Sequence, residues 1–146
     1  MKLFTVLLCI CFFISTIYAG CVIQYPYANT VWMGGNTENV TWADDNASPS
    51  MLEIGDMQID LMKDTNNQTK VITLATLVHP TDFFFACLIP NNIGPEGDDY
   101  FVKMYNNNSY VVYSHTFTIK NISGTVQPST SQPATTDNAN NTVGTQ

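Results

Sequence analysis

The chain has 146 residues, a formal charge of −7, 45% hydrophobic residues and only 12% charged ones. Five lysines and no arginine stand against twelve acids, which argues against nucleic acid and anionic membrane surfaces, since both need clustered cations. Once the two ends are set aside, the remainder is long enough for one small domain.

The amino terminus sets the compartment. Met1-Lys2 is a short positive start, Leu3 to Ile17 is apolar apart from Thr5, Ser15 and Thr16, and the small Ala19 precedes Gly20. This is the pattern of a secretory signal peptide over residues 1–19, cut after Ala19. The apolar run falls short of the roughly 20 residues that span a bilayer. Cleavage removes Lys2, Cys9 and Cys11, leaving four lysines against twelve acids, a charge of −8. Cys21 and Cys87 remain as a single candidate disulfide in an oxidising compartment, with two unpaired thiols as the alternative. Their bond would close a loop of 66 residues and add roughly 4 kcal/mol on chain-entropy grounds.

The body reads as strands. Cys21 to Tyr25 alternates weakly and ends at Pro26. Thr30 to Met33 is closed by Gly34-Gly35, and Asn39 to Trp42 sets Val40 and Trp42 on one face. Asp44 to Gly55 is irregular, with room for one helical turn at Met51 to Ile54. Met57, Ile59 and Leu61 then alternate with Gln58, Asp60 and Met62, and a polar loop from Asp64 to Gln68 follows. Lys70 to Val78 continues the alternation. Phe83 to Ile89 is almost wholly apolar, which predicts a central strand stopped by Pro90. Beyond the loop Asn91 to Asp99, Tyr100, Val102 and Met104 alternate with Phe101, Lys103 and Tyr105, and Tyr110 to Ile119 is the last strand. About seven strands at regular spacing, with no helix between them, predict an all-β antiparallel sandwich over residues 20–123. Residues 124–146 are Ser, Thr, Asn, Gln and Pro with little to bury, so they are expected to be a disordered, O-glycosylated tail. No apolar stretch of the kind a GPI signal needs follows, so no stable membrane anchor is expected after signal cleavage.

The sequence supplies little for catalysis. His79 lies before Pro80 in a loop and His115 inside the last strand, neither with a Cys or acid at metal-ligand spacing, so no metal or cofactor is expected. Asp44-Asp45 and the Glu96, Asp98, Asp99 group read as solvated loop acids, better than as a Ca²⁺ site or as the paired carboxyls of a glycosidase. Phe83-Phe84-Phe85 and the tyrosines at 100, 105, 110 and 113 could stack on sugar rings, although alternate rings of a sandwich belong to its core. Trp42 shares a face with Val40 and is expected inside. Trp32, at a strand end beside Gly34-Gly35 where a ring could be half exposed, is the candidate ligand contact. Sequons at Asn39, Asn67, Asn107, Asn121 and Asn140 are expected to carry N-glycans at the surface, while Asn46 is discounted because Pro49 follows its sequon.

Several of these features occur in an order that resembles a known family. Val22, Ile23 and Pro26 come first, then Val31-Trp32 with Gly35, then Val40-Thr41-Trp42. Ile59-Asp60-Leu61, Ile89-Pro90, Tyr100 to Met104 and Tyr113 to Ile119 follow. The series is similar to the Ig-like N-terminal domain of fungal Ser/Thr-rich, often GPI-anchored cell-wall proteins, a family that includes the yeast proteins required for β-1,6-glucan assembly. The family pattern has Trp at the position of Cys87, and a disulfide to Cys21 would take over the packing of that ring. The resemblance implies a secreted, non-catalytic glycoprotein of the fungal cell wall or extracellular matrix. It would be an accessory or binding module in β-glucan assembly, with cell-wall polysaccharide as its partner. The alternative reading is a secreted effector or interaction module that binds extracellular proteins.

Overall fold

The computed structural model describes residues 20–126; the expected signal peptide and residues 127–146 of the expected tail, Asn140 among them, lie outside them. Among the described residues the strands are β1 (Cys21–Tyr25), β2 (Val31–Met33), β3 (Thr37–Asp44), β4 (Met57–Lys63), β5 (Thr69–Val78), β6 (Phe84–Leu88), β7 (Gly97–Tyr105), β8 (Val111–Tyr113) and β9 (Phe117–Lys120). One helical turn, α1 (Met51–Ile54), and a 3₁₀ turn at Pro80–Asp82 accompany them. The small sheet has the order β1-β3-β6. The large sheet runs β2-β9-β7-β4-β5, with β8 paired to β7. No helix among the described residues is long and apolar enough to cross a membrane.

The two sheets bury one shared core. Ile23, Val40, Trp42 and Cys87 of the small sheet face Trp32, Ile59, Leu61, Val102, Met104, Phe117 and Ile119 of the large one. Fully burying a side chain of this size is worth about 1.5–3 kcal/mol, so the alternation along each strand decides which face turns inward.

The chain enters through both sheets. β1 pairs antiparallel with β3, and Pro26, which has no N–H for a ladder, ends it. A turn closed by Thr30 N–H donating to the Tyr27 carbonyl (3.0 Å) then carries the chain across to β2. β2 lies parallel to β9, with Trp32 opposite Ile119. The Gly34-Gly35 turn fixes this crossing. Gly35 has φ of +85°, a conformation that costs glycine nothing. A Cβ on Gly34 would come within 2.2 Å of the Asn121 carbonyl oxygen. The Gly34 N–H donates to the Lys120 carbonyl (2.8 Å) and the Gly35 N–H to the Ile89 carbonyl (2.7 Å), so the turn is bonded to segments leaving both sheets.

Four expectations are corrected. Phe83 to Ile89 does not form a central strand. β6 is an edge of the small sheet, because only Phe85 and Cys87 turn toward the core, while Phe84 and Leu88 face outward. The last strand is broken at Ser114 to Thr116. There Ser114 Oγ accepts from the Val102 N–H (2.8 Å), so a hydroxyl does the work of a backbone carbonyl, and His115 sits exposed in the break. The alternation of β5 is interrupted. Its register against β4 slips three times, so Ile72 opposite Leu61 and Ala75 opposite Ile59 are three residues apart.

The fourth concerns Cys21 and Cys87, which are free and buried. Cys21 lies opposite Asp44 and Cys87 opposite Glu38, six positions apart on β3. At about 3.3 Å per residue that is roughly 20 Å, where a disulfide needs its Cα atoms within about 7 Å. Burial pushes the thiols up to about 12 for Cys21 and about 11 for Cys87, which leaves both unreactive. Cys87 therefore fills its core position as a small apolar side chain, its Sγ 3.5 Å from the Glu38 carbonyl.

The two tryptophans differ in polar satisfaction. Trp42 Nε1 donates to the Pro80 carbonyl (2.6 Å), tying β3 to the 3₁₀ turn, whereas the buried Trp32 Nε1 has no partner among the described residues. Trp42→Phe should cost about 2–4 kcal/mol, because it strands a buried carbonyl as well as leaving a cavity. Trp32→Phe should cost about half as much, because it also removes an unsatisfied donor. Urea unfolding of both variants checks this, and a larger loss at Trp32 would contradict it.

Candidate functional site

The candidate ligand contact, Trp32, is fully buried. Its ring lies 4.5 Å from that of Phe117 and 6.5 Å from that of Tyr25, and the Gly34-Gly35 turn that was expected to leave it half exposed instead draws β2 against β9. It presents no surface to a ligand. Tyr100 is also in the core, with its hydroxyl donating to the Pro95 carbonyl (2.6 Å). Tyr110 packs against the core and points its hydroxyl at the Cys21 carbonyl (3.4 Å). Tyr105 and Tyr113 remain, and both belong to the outer face of the large sheet.

That face follows from strand parity. Met57, Ile59 and Leu61 of β4 and Tyr100, Val102 and Met104 of β7 point inward, so the residues between them point out. The register sets Gln58 opposite Tyr105, Asp60 opposite Lys103 and Met62 opposite Phe101. It also sets Lys103 opposite Tyr113 on β8, and Asp60 opposite Thr73 on β5. Met62 and Phe101 are buried yet lie outside the inter-sheet core. Phe101 and Tyr113 hold their rings 6.1 Å apart, so a small apolar floor underlies the polar groups.

Asp60 organises those groups. It is 2% exposed on a sheet's outer face, where an unpaired carboxylate would be costly. It accepts from the Tyr105 hydroxyl (2.9 Å) and from Gln58 Nε2 (2.8 Å), and Lys70 Nζ stands 3.1 Å away. Gln58 Nε2 also lies 2.7 Å from the Tyr105 hydroxyl. Lys103 Nζ sits 4.9 Å above the Tyr105 ring and 6.0 Å above that of Tyr113. Burial, then the hydrogen bond to Asp60 and its charge, raise the Tyr105 phenol above its ordinary value, so it stays neutral. Two tyrosine rings, an ammonium and an amide thus share one sheet face, above the buried carboxylate that holds them. Such a surface can stack the apolar C–H face of a pyranose on a ring while hydroxyl groups meet the polar atoms beside it.

Other candidates are occupied by structural duties. Asp44 and Asp45 accept from the Asn46 and Ala47 N–H groups (2.7 and 2.8 Å) and shape their own loop. Glu96 accepts from the Asn121 N–H (2.7 Å), and Asp99 is paired with Lys63. That ion pair lines a groove of about 570 Å³ with Thr69, Pro95 and Val126, but Lys63 also lies 4.0 Å over the Tyr100 ring, so the groove's cation is already engaged. His79 Nδ1 is 2.8 Å from the Thr81 hydroxyl in the 3₁₀ turn. No cluster of three or more His, Cys, Asp or Glu able to hold a metal is present among the described residues. Asn39, Asn67, Asn107 and Asn121 are all exposed. The Asn121 amide nitrogen, however, donates to the Gly34 carbonyl (3.1 Å), and that of Asn67 to Asp64 (2.5 Å).

In the sequence, Gln58 and Asp60 fall on one strand face and Lys103 and Tyr105 on another, with nothing local to join them. An acid on the polar side of an otherwise apolar strand was the available signal, and the register supplies the rest.

A family model of the Kre9/KNH-like N-terminal Ig-like domain matches residues 25–119, more than half of the chain. No curated protein and no solved structure matches.

Asp60→Asn removes the negative charge beside Tyr105, so the Tyr105 phenol should titrate at lower pH, closer to the ordinary tyrosine value of about 10. A raised folded-state value means that Tyr105 supports the fold fully below pH ~10 and loses that support as the pH climbs through its folded value. Absorbance titration of tyrosinate in both proteins measures the change. An unmoved titration would show that Asp60 does not govern the site.

Proposed function

The chain belongs to the Kre9/KNH-like family of N-terminal Ig-like domains, and from that premise we propose that it is a non-catalytic binding module for cell-wall β-glucan, working outside the cell as an accessory in wall assembly. The family supports the coarse part of this reading, since it is one of β-glucan-related yeast cell-wall proteins. The observation that carries the finer part is the outer face of the large sheet, where Tyr105 and Tyr113 flank Lys103 beside the Gln58–Asp60 pair. A neutral β-linked glucan offers alternating apolar faces and hydroxyl edges, and it makes no demand for the cationic patch this chain lacks.

Binding without turnover is the chemistry these side chains favour. Glycoside hydrolysis commonly uses two carboxyls about 5–9.5 Å apart, one of them free to give up a proton. Asp60 is engaged by Tyr105, Gln58 and Lys70, and its role is to hold those groups in place. The secretory pattern at residues 1–19 and the Ser/Thr-rich stretch after the domain agree with an extracellular, wall-associated protein.

The secreted, glycosylated protein should be retained on insoluble β-glucan and much less on chitin. Tyr105→Ala and Tyr113→Ala should each weaken retention about tenfold, or ~1.4 kcal/mol, the scale of one lost ring contact. His115→Ala, in the exposed break between β8 and β9, should leave it unchanged. No retention on β-glucan, or retention indifferent to both tyrosines, would remove the proposal.

A further inference from the structure

The small sheet has an outer face of opposite character. Its outward residues are Thr37, Asn39, Thr41 and Ala43 on β3, Val22 and Gln24 on β1, and Phe84, Ala86 and Leu88 on β6. Phe84 is 61% exposed and Leu88 62% exposed, on an edge strand whose backbone is open on one side. An exposed apolar edge templates aggregation unless something blunts it. β6 contains no Lys, no Pro and no inward charge that would do so.

The residue at the middle of this face is Asn39, within the sequon Asn39-Val40-Thr41. Asn39 lies directly opposite Ala86, with Thr41 opposite Phe84 on one side and Thr37 opposite Leu88 on the other. Cross-strand diagonal neighbours stand about 7–8 Å apart, so Phe84 and Leu88 both fall within reach of a sugar attached at Asn39. Asn39 and the sequon hydroxyl of Thr41 project from the same face of β3. Among the described residues the Asn39 side chain has no hydrogen-bond partner, unlike Asn67 and Asn121, whose amide nitrogens are held within the protein.

We propose that Asn39 carries an N-linked glycan whose first N-acetylglucosamine units lie on Phe84 and Leu88, so that the glycan is the cover of the small sheet's apolar face. The step is glycosyl transfer from a lipid-linked pyrophosphoryl oligosaccharide to the chain before it folds. The Asn39 Nδ2 forms a C–N bond to the first sugar's C1 and gives up one proton, while the C1–O bond to the pyrophosphate breaks and the lipid pyrophosphate leaves. After folding, the apolar side of that sugar rests on the Phe84 ring. The hydrophilic antennae block strand addition at the β6 edge, which leaves the polar-aromatic face of the large sheet as the face open to polymer.

Glycopeptide mass spectrometry of the full chain secreted from a eukaryotic host should find Asn39 occupied in most molecules. Asn39→Gln and Thr41→Ala each abolish the sequon by a different residue. Both should raise binding of a hydrophobic dye severalfold and produce self-association in sedimentation. Adding Phe84→Ser and Leu88→Ser should abolish both effects. Should neither single variant be secreted, amidase removal of the glycan from the folded wild-type protein gives the same readout. An unmodified Asn39 in the secreted protein, or dye binding and sedimentation unchanged after glycan loss, would overturn the proposal.

Discussion

The fold depends on a single backbone constraint, the turn at Gly34-Gly35. The first part of the chain must serve two sheets, pairing with β3 through β1 and with β9 through β2. Gly34 approaches the Asn121 carbonyl more closely than any side chain permits, and Gly35 takes a left-handed backbone. Their N–H groups are satisfied by the carbonyls of Lys120 and Ile89, at the ends of β9 and β6. With that turn in place Trp32 is pressed onto Phe117 and closes one side of the sandwich, opposite the core strand that carries Trp42. Replacing either glycine would press a Cβ into backbone or strain φ, and the parallel pairing of β2 with β9 would be the first part of the sheet to open.

Both tryptophans belong to the core, so the proposed recognition falls to the outer faces, and those faces differ. On the large sheet a buried carboxylate, Asp60, is compensated by a phenol, an amide and an ammonium, which fixes Tyr105 beside Lys103 and Tyr113. A preorganised surface loses little side-chain entropy when it meets a ligand. On the small sheet the outward residues are short or apolar around Asn39, with no such network. One sandwich therefore offers a polar-aromatic platform on one side and a surface that calls for a cover on the other.

Much of this was legible in the amino-acid sequence. Period-two alternation grouped Val40 with Trp42, Ile59 with Leu61 and Val102 with Met104 on common faces, and the structure turns each of those faces inward. The ordered series from Val31-Trp32 to Tyr113 led to the family. What failed were the properties that depend on neighbours. Phe83 to Ile89 looks central by composition, yet its place at an edge is set by which strands pair, and that is a nonlocal fact. Cys21 and Cys87 satisfy the count for a disulfide, but their six-residue offset along β3 is visible only in the register. Trp32 looked half exposed because glycines usually mark open turns, whereas here they mark a close approach. The Asp60 site was divided between two strands about 40 residues apart in sequence, and antiparallel pairing brings the halves together.

In the proposed function, the outer face of the large sheet is the surface that meets β-glucan. Chemical-shift perturbation by a soluble β-glucan oligosaccharide on the isotopically labelled protein tests it most directly. Changes should gather on Gln58, Lys70, Lys103, Tyr105 and Tyr113, with the small sheet unaffected. Changes centred instead on the loop acids Glu96 to Asp99, or on the small-sheet face around Phe84, would contradict it.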